Sequence, residues 1–293
     1  MPIYAKVFSK ESPYLNNQKQ ETRNQEQQKT KNHKQKTIIY FCKVYTLKKS
    51  LGQHFLKDEN ICRKIVAALT TCSFERLLEV GPGGGALTKY LIELPGIEFK
   101  AVELDEEKVV FLKKTYPSLE NKIIHQSFLE IDPPYSDNFT VVGNFPYNIS
   151  TQILFKILEW TPQVDCVIGM FQKEVAQRIA AGSGSKVYGV TSVLVQAFYD
   201  VVYLFDVQES SFNPPPKVKS GVIQLLPRHS VVNLKSREAF FLLVKTAFGQ
   251  RRKTMRNACK NLFETAFMQQ PIFDQRAEQL SVQQFADLTF SMK

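Results

Sequence analysis

The sequence predicts an α/β protein: a doubly wound, mostly parallel sheet with a small α-helical domain behind it. Three observations carry that expectation. Between Arg76 and Phe171, short apolar runs alternate with amphipathic ones in the order βαβαβ…βαβ, as in parallel strands joined by crossover helices. Two further apolar runs, at 201–207 and 220–226, flank the proline-rich "SSFNPPPK" and suit an antiparallel pair that closes the sheet. From about Asn233 onward the periodicity is helical only.

A polar tail comes first. Residues 1–36 are rich in Gln, Asn and Lys, too poor in large apolar groups to offset their ordering entropy, and a disordered tail is expected over 1–47. Residues 1–50 hold 11 Lys/Arg against 3 Asp/Glu, whereas the remainder holds 27 against 25, so most of the formal charge of +10 sits in the tail. A mitochondrial presequence is disfavoured by the single Arg23 and by Glu11, Glu21 and Glu26. Order is expected from Lys48. Asp58 is a suitable N-cap for a helix with Ile61, Ile65, Val66 and Leu69 on one face. Strands follow at 76–80, 97–103 and 122–125, with helices at 86–93 and 106–116 between them. A strand at 139–143, a helix at 151–159 and a strand at 164–171 come next. Ser281 and Gln284 form a capping-box signature before the last helix. The expected domains are therefore 48–232 for the sheet and 233–293 for the helices.

Composition narrows the class. No apolar stretch approaches the roughly 20 residues that a bilayer requires. The five cysteines (Cys42, Cys62, Cys72, Cys166 and Cys259) are scattered and never spaced C-x-x-C. That argues against a disulfide framework or a zinc site, and for a reducing, cytoplasmic setting.

The chemistry begins at "LLEVGPGGGALTKYL", a glycine-rich turn between a strand and a helix. Gly81, Gly83 and Gly85 permit a tight turn and let a ligand lie against bare backbone. Twenty residues past Gly83, Glu103 ends the next strand, where a carboxylate can accept both ribose hydroxyls of a nucleoside. The Lys-Ser/Thr pair of a triphosphate loop is absent, leaving NAD or S-adenosylmethionine. "GNFPYNIS" (143–150), behind the apolar run 139–142, favours the latter. An adenine amino group is a poor nucleophile because its lone pair is delocalised into the ring. Asn144 Oδ1 and a backbone carbonyl, of Phe145 or Pro146, could accept both N–H bonds and aim the lone pair at a methyl donor. Pro146 fixes the loop and Tyr147 offers a face for a purine. A sulfonium is already an excellent leaving group, so alignment rather than a metal, a covalent nucleophile or a strong base does the work.

In order along the chain, "SLGQHFLKDENI", "LEVGPGGGALT", "VELD", "GNFPYNIS", "MFQKEVAQRI", "YGVTSVLVQ", "SSFNPPPKVKSGV" and "FGQRRKTMRNAC" resemble the ribosomal RNA adenine dimethyltransferases of the KsgA type. The resemblance runs from about Lys48 to the carboxyl terminus. It implies a Rossmann-like S-adenosylmethionine-dependent methyltransferase fold and N6,N6-dimethylation of two adjacent adenosines near the 3′ end of small-subunit rRNA. The substrate it implies is an immature ribosomal subunit. A monomer is expected, with no membrane and no metal partner. Matching positions imply cofactor contacts for His54, Leu56, Gly81, Gly83, Glu103 and Asn144, and a target-adenine slot of Asn144, Pro146 and Tyr147. One position departs: "HQSFLEID" has Ser127 where the family usually carries an aspartate for the cofactor's adenine amino group. A hydroxyl still accepts a hydrogen bond there, with Gln126 or Glu130 as possible help, and weaker cofactor binding is expected.

Other signals are less local. His125 reads as a core residue of its strand. "QRRKTMRNACKNL" places Arg251, Arg252, Lys253 and Arg256 in helical context, where phosphate contact competes with a merely solvated face. "AAGSGSKVYG" (180–189) reads as a mobile glycine-rich loop. Two alternatives share parts of this pattern: a large-subunit rRNA methylase of the erythromycin-resistance type, and a non-catalytic RNA-binding assembly factor.

Overall fold

The computed structural model describes residues 54–230 and 232–293, all within one compact unit. The tail expected over 1–47 and the onset of order at Lys48 lie outside the described residues. Strand β1 (Phe55–Leu56) leads into helix α1 (Glu59–Ala68), where Asp58 Oδ1 accepts from the amides of Asn60 and Ile61 at 3.0 and 3.4 Å. Then follow β2 (Arg76–Val80), α2 (Thr88–Leu91), β3 (Glu98–Glu103), α3 (Glu106–Thr115), β4 (Ile123–His125), β5 (Phe139–Asn144) and α4 (Ser150–Glu159). After β6 (Val164–Gln172) come two helices not anticipated from the sequence, α5 (Lys173–Ala180) and α6 (Val190–Gln196). Strands β7 (Tyr199–Val207), β8 (Phe212–Asn213) and β9 (Ser220–Pro227) complete the strand set. Helices α7 (Arg237–Gly249), α8 (Met255–Ala258) and α9 (Val282–Thr289) end the chain, and Ser281 and Gln284 close the expected capping box.

The seven-stranded sheet runs β4-β3-β2-β5-β6-β9-β7. Its first five strands are parallel, while β9 is antiparallel to both β6 and β7. The order reverses between β2 and β5, so the crevice outside their carboxyl ends is where ligands gather on such a sheet. Central strands read as nearly continuous apolar runs because helices cover both faces. Neighbours alternate between the two faces: Leu77 packs with Ile65, Leu69 and Leu112, whereas Leu78 packs with Ile153, Leu154 and Val167. Phe240, Leu243 and Phe285 of the terminal helices join the second of these clusters, alongside Tyr188 and Val193. The helical segment after Asn233 therefore extends the core of the sheet.

Three expectations need correction. The second predicted helix shrinks to Thr88–Leu91, because the turn holding Gly83 and Gly85 continues through Leu87. His125 is exposed: it ends the edge strand β4, and its Nε2 lies 3.2 Å from Leu104 O. Cys72 and Cys166, 94 residues apart, form a disulfide. Spacing gave no hint of this pair, which meets only because the stretch after α1 crosses beside β6, where Gln224 Nε2 donates to Cys72 Sγ at 3.3 Å. Cys62 and Cys259 are buried thiols, each pushed up to about 12 chiefly by desolvation. Among the described residues, no helix is long and apolar enough to cross a membrane, and no cluster of three or more His, Cys, Asp or Glu could hold a metal ion.

Candidate active site at the switch point

The glycine turn leaves β2 with Gly81, Gly83 and Gly85 at φ of 67, 55 and 79°, a region where a Cβ is strained. Gly81 N donates to Val102 O at 2.9 Å, carrying the ladder one residue past β2. The separation of Gly83 from Glu103 becomes a direct contact, with Gly83 N donating to Glu103 Oε2 at 3.0 Å. The other oxygen, Oε1, accepts from Asp105 N at 2.9 Å. A carboxylate offers about four lone-pair sites, so these two bonds orient Glu103 and leave acceptor capacity at the carboxyl end of β3. Beneath the turn, Glu79 is buried and accepts from Thr88 Oγ1 at 2.7 Å. Burial, reinforced by nearby Glu103, pushes its carboxyl up to about 8, so it is mostly protonated at neutral pH.

The exit from β5 sits beside that turn. Glu79 is in register with Val142, and two further steps along both strands bring Gly81 opposite Asn144. A Cβ on Gly81 would stand 3.9 Å from Pro146 Cδ. Asn144 Nδ2 donates to His54 O at 3.2 Å. A carbonyl can only accept, so the amide nitrogen is committed to His54 and Oδ1 is turned the other way. Phe145 has a different role from its neighbours. Its ring is fully buried, folds back across Gly143 and Gly169, and packs edge-on against Phe171 at 5.1 Å. A Cβ would meet Phe145 at 2.7 Å from either glycine, so both positions are bare to admit the ring. The aromatic next to the asparagine is thus an anchor that seats Asn144 at the strand end.

Tyr147 lies outside the anchor. Its hydroxyl is 2.5 Å from Ser220 Oγ, and burial raises its pKa, so the ring stays a neutral phenol. His54 tilts against that ring at 5.4 Å between centroids. His54 Nδ1 lies 3.0 Å from Pro214 O, an acceptor only, so that nitrogen carries the proton. Leu56 is buried and pairs antiparallel with Phe212. These contacts bring His54, the asparagine turn and the "FNPPPK" loop to one place. Sequence reasoning passed over Phe55, whose ring would be 3.5 Å from a Cβ on Gly83 and lies 5.2 Å from Lys108 Nζ. Its position between two expected contact residues was the available signal.

Ser127 is half-buried on the loop two residues past His125, which pairs with Glu103. Its carbonyl accepts from Glu130 N at 3.0 Å. The basic run is arranged otherwise than expected. Arg251, Arg252 and Lys253 occupy the turn between α7 and α8 rather than a helix face, and only Arg256 lies in a helix, the short α8. Arg251 donates from Nε to Glu278 Oε2 and from Nη2 to Lys186 O, both at 2.5 Å. Arg256 binds Met268 O at 3.2 Å and Asp274 at 2.8 Å. Two of the four residues expected to contact RNA are thus engaged internally, while Arg252 and Lys253 are exposed.

The profile of the ribosomal RNA adenine dimethylase family matches residues 44–292. The chain is 53% identical over 247 residues to the Ribosomal RNA small subunit methyltransferase A of Cytophaga hutchinsonii, covering 83% of this chain and 95% of that protein. Among solved structures it is similar to a dimethyladenosine transferase from Plasmodium falciparum, with TM-score 0.68 and 25% identity over 82% of this chain and 99% of that one. The 23S rRNA methyltransferase ErmE shares the fold, with TM-score 0.60 and 22% identity over 80% of this chain and 99% of that one.

Proposed function

We propose, from the premise that this chain belongs to the ribosomal RNA adenine dimethylase family, that it places two methyl groups on N6 of each of two adjacent adenosines near the 3′ end of small-subunit rRNA. The observation that carries the reading is the orientation of Asn144, whose amide oxygen is turned away from His54 at the carboxyl edge of β5, next to the glycine turn.

S-adenosylmethionine, when bound, supplies a methyl group on a sulfonium leaving group. The residues present fit it. Glu103, oriented by two backbone amides, has acceptor sites for ribose hydroxyls, and the bare backbone of Gly81 and Gly83 admits a ligand closely. In this reading His54 and Leu56 complete the cofactor's surroundings, and the Ser127 hydroxyl serves the adenine amino group. On the substrate side, Asn144 Oδ1 accepts one N–H of the target amine. Pro146 O already accepts from Ile149 N at 3.1 Å, which favours Phe145 O for the second N–H. Holding both N–H bonds draws the lone pair out of conjugation and toward the methyl group. The nitrogen loses its proton to solvent after transfer. Tyr147 supports the purine face, offsetting the few kcal/mol needed to unstack a base. The segment 233–293, with Arg252 and Lys253 exposed, serves the RNA backbone, and residues 48–232 the chemistry. The reading places a monomer in the cytoplasm, acting on an immature small subunit.

Asn144→Ala tests it. Tritium transfer to undermethylated small subunits should collapse while subunit binding persists, and large subunits offered in parallel should stay unlabelled. Retained transfer by the variant removes Asn144 from the slot, and labelled large subunits overturn the substrate.

A further inference from the structure

The segment expected to be a mobile glycine-rich loop is braced at several points. Gln196 Nε2 donates to the carbonyls of Ile179 and Ala181, both at 2.8 Å. Gly184 N donates to Glu278 O at 2.7 Å. Tyr188 is buried edge-on against Phe248 of α7, with 6.1 Å between ring centroids. Between these anchors, Arg251 grips Lys186 O with Nη2 and Glu278 with Nε. One guanidinium therefore ties together the 182–189 loop, the α7–α8 turn and the stretch before α9. Its planar fork suits this double task, which a lysine ammonium would serve less well.

The brace leaves Lys186 exposed on the residue whose carbonyl Arg251 holds. Arg252 and Lys253, next in the chain after the bracing arginine, are also exposed. We infer that Lys186, Arg252 and Lys253 form one RNA-docking surface built from two separate segments, and that Arg251 and Glu278 are the positioning pair that sets its geometry. The partner is the phosphate backbone of small-subunit rRNA, so the inference rests on the function proposed above. Arg251, read from the sequence as a phosphate contact, becomes a residue that acts through Lys186.

The sign of one substitution separates the two roles. If Arg251 contacts phosphate directly, Glu278→Gln releases it and removes a nearby negative charge, so binding to RNA tightens. If the pair is a brace, Glu278→Gln loosens the loop and binding weakens. The test measures binding of full-length protein to undermethylated small ribosomal subunits from 50 to 300 mM salt, on the order of the range where phosphate contacts dominate. Glu278→Gln and Arg251→Ala are each expected to weaken binding about three- to tenfold, and together no more than the worse of the two. Lys186→Ala should reduce the log–log salt slope by about one, and Lys186→Arg should restore it. Affinity for S-adenosylmethionine should be unchanged in all of them, because the loop lies outside the cofactor crevice. Tighter binding by Glu278→Gln, additive losses in the double variant, or an unchanged slope in Lys186→Ala overturns the inference. Failure of the unsubstituted chain to methylate small subunits instead overturns the function on which it rests.

Discussion

Gly143→Ala probes the link between the sheet and the reacting groups. A Cβ at this position would lie 2.7 Å from Val80 O and 2.7 Å from Phe145 Cε1, well inside the 3.0 Å that real Cβ atoms respect. Val80 O is backbone of the adjacent parallel strand and cannot rotate aside. Either β2 and β5 separate or the Phe145 ring leaves its seat, by at least 0.3 Å. Overpacking of this kind destabilises by about 1–3 kcal/mol. For a chain of this size that lowers Tm by about 2–6 °C. The displacement also falls on the residue before Asn144. Misplacement of a reacting group by 1 Å is worth roughly 100-fold in rate, so a shift of about a third to half of that lowers transfer about four- to tenfold. Thermal melts and tritium transfer to undermethylated small subunits measure the two effects. Gly249→Ala is the control, since nothing lies within 4 Å of its Cβ and it ends a helix. A Gly143→Ala chain that melts and transfers methyl groups like its parent refutes the claim that bare glycines seat Phe145 and, through it, Asn144.

Other outcomes follow from the same contacts. Between pH 4.5, the ordinary Glu value, and about 8, Glu79 holds a proton in the folded chain that the unfolded chain has lost. Stability therefore falls with rising pH across that window, by up to about 1.4 kcal/mol per unit from this group, and levels off above it. Glu79→Gln, which can still accept from Thr88, should flatten the slope in denaturant titrations at pH 5 and 8; an unchanged slope means the carboxyl is ionised. Ser127→Ala should weaken S-adenosylmethionine binding about two- to tenfold by calorimetry, the worth of one neutral hydrogen bond, and Ser127→Asp should strengthen it. An unaltered affinity in the alanine variant excludes Ser127 as the adenine contact. The buried Tyr188 hydroxyl has no hydrogen-bond partner among the described residues, so Tyr188→Phe should leave Tm equal or higher, and a loss of several degrees would count against that assignment.

Much of the sheet is legible because its strands are buried on both faces and their apolar runs end at glycine, proline or acidic residues. The run at 76–80 needs no tertiary knowledge to be read as a strand, and the position of Glu103 after Gly83 encodes a contact that the backbone then makes. Asn144 was equally readable, since a polar amide ending an apolar strand has few structural uses. What stayed hidden depends on distant partners. Phe145 looks like part of the slot until Gly143 and Gly169 are seen in register beneath its ring. Helices α5 and α6 are short, and the glycines between them read as slack, because the groups that hold that loop, Arg251 and Glu278, are about 60 to 90 residues further on. Cys72 and Cys166 carry no spacing signal at all.

The sheet is not laid down in the order in which it is assembled. Strand β9 is the last strand made, yet it lies second from the rim, wedged between β6 and β7. A nascent chain that has emerged only through β7 leaves β6 with an unsealed edge, the kind of surface that invites aggregation. It also lacks Ser220, the first residue of β9 and the partner of the Tyr147 hydroxyl. Translation must therefore pass residue 227 before β6, the last of the parallel strands, is sealed along its outer edge, and the same event fixes the aromatic wall of the slot. One late strand thus closes the sheet and seats the Tyr147 hydroxyl together, and a chain terminated a few codons short of β9 lacks both.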